Sequence, residues 1–191
     1  VVTAVSPEAA QPAPPSAEAP LQPRLVLVSL APPADPTAPA ALLPAVAHRL
    51  SEATGIPLRL IPQPHSPPEA LADLLTASGP WLAPLPLDPG LAMAQGSWAE
   101  ALGAWRQPTL LVVDQGQLLT GIPAAATALL ERWSVPLLGL IQWEGRWDAS
   151  ARRRDGLPWL GQLGDADGPD PDADPVAVLR LSWSQWRDRL A

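Results

Sequence analysis

Short, uninterrupted apolar runs most constrain what this chain can become. RLVLVSL (24–30), TLLVVD (109–114) and VPLLGLIQW (135–143) are apolar nearly throughout rather than alternating. A strand with one wet face alternates apolar and polar residues, whereas a continuous run of strand length is covered on both faces, as in a parallel sheet. Between these runs lie segments with helical spacing. Leu42, Leu43, Val46 and Leu50 mark a helix over 40–53 that Gly55 stops, with Pro44 near its first turn. Further helices are expected over 67–77, capped by Ser66 with Glu69 as capping-box partner, over 91–104 and over 122–133. In a terminal helix Val176, Leu179, Trp183, Trp186 and Leu190 share one face. Strands that alternate with helices imply a mostly parallel sheet with right-handed crossovers and helices on both faces. The expected fold is a three-layer α/β domain over residues 24–191.

Weaker strands complete the pattern. IPLRLIP (56–62) reads as a second strand with Arg59 near an edge. WLAPLPL (81–87), interrupted by Pro84 and Pro86, reads as an edge strand. LPWLGQL (157–163) reads as the last. Residues 1–23 are Pro-, Ala-, Ser- and Glu-rich without apolar period, and so form an expected disordered or polyproline-like leader. The chain opens on Val-Val, which suggests a non-standard start or processing, and no signal-peptide pattern remains.

The chemistry open to the chain is narrowed by what it lacks. All 12 of its basic residues are Arg, and Lys, Cys, Tyr, Phe and Asn are absent. A very G/C-rich genome explains that set. Arg does not lose its proton at working pH, so no amine nucleophile or Schiff base is available. Without Cys there is no thiolate nucleophile, thiolate metal site or disulfide. The net charge of −7 argues against nucleic acid and against an anionic membrane surface. No apolar run approaches the ~20 residues of a membrane helix. Cytoplasm is the expected compartment, and no cofactor is implied.

In such a sheet ligands sit at the carboxyl ends of the strands, which singles out the loops 31–39, 62–68, 88–90, 114–121 and 142–156. His65 falls in one of them and is the better placed of the two histidines, His48 reading as a surface residue. Asp88 and Asp114 stand at strand ends, either as a carboxylate pair or, the favoured reading, as caps of the next helix. The run Asp165, Asp167, Asp170, Asp172, Asp174 lacks the Gly and Glu positions of a calcium loop and reads as a solvated turn. Trp133, Trp143, Trp159, Trp183 and Trp186 are expected in the core. Trp81, Trp98, Trp105 and Trp147 are less constrained, and any exposed Trp would mark a protein-partner surface. Arg152-Arg153-Arg154 is a solvated loop or a docking spot for an acidic partner.

The string TLLVVDQGQLLTGIPAAATALLERWSVPLLGLIQW (109–143), followed by GLPWLGQL (156–163), resembles the second half of dethiobiotin synthetases and ParA-type ATPases. RLVLVSLAPPADPTAPAALLPAVAHRLSEATGIPLRLI (24–61) has the shape of their first strand, phosphate loop, first helix and second strand. The resemblance implies a P-loop-like fold, with Thr37 where the magnesium-binding hydroxyl belongs and Gln142 near the base-recognising Asn. The departures are specific. A phosphate loop needs glycines and a lysine, whereas APPADPTAP (31–39) has neither, its prolines remove N–H donors, and Asp35 repels a phosphate. The expectation is a non-catalytic, P-loop-like binding or regulatory protein. One alternative is a dethiobiotin synthetase-like ATP-dependent enzyme with an altered loop, using Thr37, Asp88 and Asp114 for magnesium. A second is a fragmentary solute-binding domain, because LSEATGIPLRLIP (50–62) also resembles the opening of periplasmic solute-binding proteins.

Overall fold

The computed structural model describes residues 23–31, 35, 37–61, 66–164 and 174–188. Nearly all of the expected leader, and the acidic run up to residue 173, lie outside the described residues. Within them the strands are β1 (Arg24–Val28), β2 (Trp81–Pro84), β3 (Thr109–Asp114), β4 (Leu137–Trp143) and β5 (Trp159–Leu163). The helices are α1 (Ala38–Thr54), α2 (Pro67–Thr76), α3 (Trp98–Ala104), α4 (Ile122–Arg132), α5 (Ala149–Asp155) and α6 (Pro175–Asp188). Among the described residues the strands form one sheet, all parallel, in the order β2-β1-β3-β4-β5. The three-layer α/β expectation holds. Helices α1 and α6 touch each other on one side, while α2, α3 and α4 touch in series on the other. That division follows from handedness: α1 leads away from β3, the later crossovers lead back toward it, and right-handed connections put the two sets on opposite faces.

The uninterrupted apolar runs are buried as their composition requires. Leu25 to Val28 are fully buried, as are Leu110, Val112, Leu140 and Ile141. Gly139 permits the close approach of β5 to β4, since a Cβ there would lie 2.6 Å from Leu160 Cγ and from the Pro158 carbonyl.

Several expectations need correction. The stretch 56–62 is not a full strand: only Leu58 pairs, in parallel with Leu82, through Arg59 N–H to the Leu82 carbonyl (2.8 Å) and Leu82 N–H to the Pro57 carbonyl (2.9 Å). β2 is thus covered on both sides along part of its length, and all four of its residues are buried. Its one proline, Pro84, is accommodated by parity. Leu82 N–H points outward to Pro57 and Leu85 N–H inward to the Leu27 carbonyl (2.9 Å). Pro84, in phase with Leu82, therefore presents its missing donor to the outer side, past the point where Leu58 pairs.

The helix expected from residue 91 begins only at Trp98, where Ser97 Oγ accepts from Glu100 N–H (3.2 Å). Pro44 lies inside α1, because that helix starts at Ala38. The loop expected over 142–156 contains α5. The tryptophans partly exchange roles: Trp81 and Trp98 are buried at 1% and 2% exposure, whereas Trp133, at the end of α4, is 37% exposed. Trp183 is buried and Trp186 packs partly buried beside it, as the terminal helix pattern requires. No helix among the described residues is long and apolar enough to cross a membrane.

Candidate functional site at the carboxyl rim of the sheet

The strand order reverses between β1 and β3, since the chain leaves β1 toward β2 and then returns past it. Open α/β sheets bind ligands at that switch point, outside the carboxyl ends of the strands. Four of the five residues expected to serve a ligand are described there or nearby; His65 lies outside the described residues.

Asp88 follows β2 and does not cap a helix. Its Oδ2 accepts from Ala31 N–H (2.7 Å), an amide of the loop after β1, and its Oδ1 accepts from Gly90 N–H (2.7 Å). Asp114, the last residue of β3, likewise caps a turn rather than a helix. Its Oδ1 accepts from Gln117 N–H (3.0 Å), and its own N–H donates to Gln117 Oε1 (3.0 Å). Gln117 Nε2 then donates to the Leu30 carbonyl (2.7 Å), tying the loop after β3 to the loop after β1. Gln117 is buried, with 7% exposure. Sequence reasoning missed it because a Gln in a polar loop carries no local signal for a contact 87 positions away.

Thr37 stands at the N-cap of α1 but makes no side-chain cap bond. Its Oγ1 and its N–H both donate to Asp35 Oδ1, at 2.6 and 3.0 Å. The Thr37 hydroxyl, then the Thr37 amide, hold the Asp35 carboxyl below its ordinary value. The hydroxyl that the resemblance assigns to magnesium is thus bound to a carboxylate of its own loop.

Gln142, near the end of β4, is fully buried, and its Nε2 donates to the carbonyls of Glu144 (2.9 Å) and Arg146 (3.2 Å). Its neighbour across the strands is Gln162 of β5, whose Nε2 donates to the Gly145 carbonyl. The two carboxamides clamp the turn after β4. Gln142 Oε1 is buried without a donor among the described residues, as is Ser29 Oγ at the end of β1. The Gln115 side chain rests against Gly145, so the loop after β3 touches that turn too.

The rim is therefore one connected network running from Asp88 through Ala31, Leu30 and Gln117 to Asp114, with the Gln142–Gln162 clamp beside it. Asp88, Asp114 and Gln117 are brought together at the switch point. Thr37 sits apart with Asp35, and Gln142 lies farther along the sheet. Among the described residues no three His, Cys, Asp or Glu side chains are grouped so as to hold a metal ion. No family model and no curated protein matches this chain.

Proposed function

We propose that the chain is a non-catalytic binding or regulatory protein, a P-loop-like relative of the dethiobiotin synthetases and ParA-type ATPases that does not grip a polyphosphate. The observation that carries the reading is the bond from Ala31 N–H to Asp88 Oδ2 at 2.7 Å. In a phosphate loop the backbone amides after the first strand face the ligand's oxygens. Here one such amide faces a carboxylate of the same chain, and Asp35 places a second negative charge at the start of α1. Both charges repel a nucleotide triphosphate, and the chain has no lysine to offset them.

The test is thermal unfolding of the full chain with millimolar ATP and magnesium. A ligand at 100 times its dissociation constant stabilises a fold by about 2.7 kcal/mol. No shift in midpoint is expected. A clear saturable upward shift would overturn the reading and favour the ATP-dependent enzyme.

A further inference from the structure

A groove of about 450 Å³ is lined by Trp147, Arg152, Arg153, Leu157 and Trp159. Trp147 and Trp159 meet edge to face, with ring centroids 6.3 Å apart. The Arg152 guanidinium lies 4.7 Å from the Trp159 ring centroid and pairs with Asp155 (3.4 Å). Trp159 Nε1 donates to the same Asp155 carboxylate at 2.9 Å. These contacts hold the wall in one arrangement. Trp147 Nε1 and Arg152 Nε are buried inside that wall, without an acceptor among the described residues. Arg153 is exposed beside them on α5, a local cationic spot on a chain of net charge −7.

Trp faces and an exposed cation beside them suit an extended, proline-rich, acidic peptide. Proline rings pack on indole faces, a carboxylate pairs with the arginine, and a polyproline backbone loses little entropy on docking. Residues 1–22 of this chain have that composition. They contain five Pro and two Glu, and no Arg, His or aromatic residue.

They also have the reach. Pro23 ends beside Arg24 of β1, and Trp159 is level with Val28 three strands across the sheet. At strand spacings of ~4.8 Å and ~3.3 Å per residue that is roughly 22 Å. Twenty-two residues in polyproline geometry span about 68 Å. We propose that the groove formed by Trp147, Trp159 and the α5 arginines docks residues 1–22 of the same chain. Tethering raises the effective concentration of the segment to about the millimolar range, enough for a small contact to be occupied.

The absence of cysteine makes the test clean, because a nitroxide attached through Ser16→Cys labels one position in the full chain. The indole N–H signals of Trp147 and Trp159 are expected to broaden more than those of Trp105 and Trp133, independently of protein concentration. Adding Arg153→Glu is expected to reduce that extra broadening about threefold, the effect of one exposed ion pair. Equal broadening at all four rings, or none, would overturn the proposal. So would broadening that appears only when labelled and unlabelled copies are mixed, since the groove would then hold a second copy's segment.

Discussion

A carboxylate is defined by what it accepts. Asp88 takes two amides at 2.7 Å from two different loops, so removing it leaves both donors unmatched. Charge-assisted bonds of this kind each contribute about 1.5–3 kcal/mol, less where water can replace them. Asp88→Ala is expected to lower stability by about 2 kcal/mol, read from the midpoint of urea unfolding at constant slope. Asp35 differs because it is fully exposed, so its signature is titration rather than stability. Its folded pKa lies below the ordinary 3.8 because the Thr37 hydroxyl and amide favour the charged form. The stabilisation it gives is present above the ordinary value and disappears as pH falls through the folded one. Carbon-detected NMR titration is expected to place Asp35 below 3.8 in the native chain and to move it upward in Thr37→Val. An unchanged value in that variant would mean the hydroxyl has no part in the shift.

Elements differ in how much of them is local. α2 was readable because its cap is: Ser66 Oγ accepts from Glu69 N–H (3.3 Å), as the spacing suggested. α1 was readable at its end, where Gly55 adopts φ 74° and its N–H reaches the Ser51 carbonyl. α5 carried the same kind of signals, with Asp148 accepting from Ala151 N–H (2.9 Å) and Gly156 at φ 70°. Its sequence shows no apolar period, because it buries no residue. The closeness of α3 to α4 was not legible at all. A Cβ on Gly103 would lie 1.8 Å from the Trp133 carbonyl oxygen, a contact between residues thirty positions apart. Gly103→Ala must push the helices apart, and overpacking of this sort costs about 3 kcal/mol. A thermal midpoint within a degree of the parent would show that the two helices separate freely.

At the scale of the molecule, stability rests on the central strands, which have strands on both flanks and helix layers on both faces. Leu110, fully buried in β3, belongs to the core cluster common to both faces. Leu110→Ala is expected to lower stability by about 3 kcal/mol, with the folded chain otherwise intact by circular dichroism. Leu119→Ala, at 95% exposure on the loop after β3, is expected to change it by less than about 0.5 kcal/mol. By itself the sequence determined the fold class and the approximate places of the five strands, because continuous apolar runs and helical periods report how each segment meets water. It also closed off lysine and cysteine chemistry outright. Only the tertiary structure decided which strands lie side by side, and hence that Asp88 meets Ala31 and Gln117 meets Leu30. Those bonds join residues nearly sixty and ninety positions apart, and a hydrogen bond acts over about 3 Å in space, a distance that spacing along the chain does not encode.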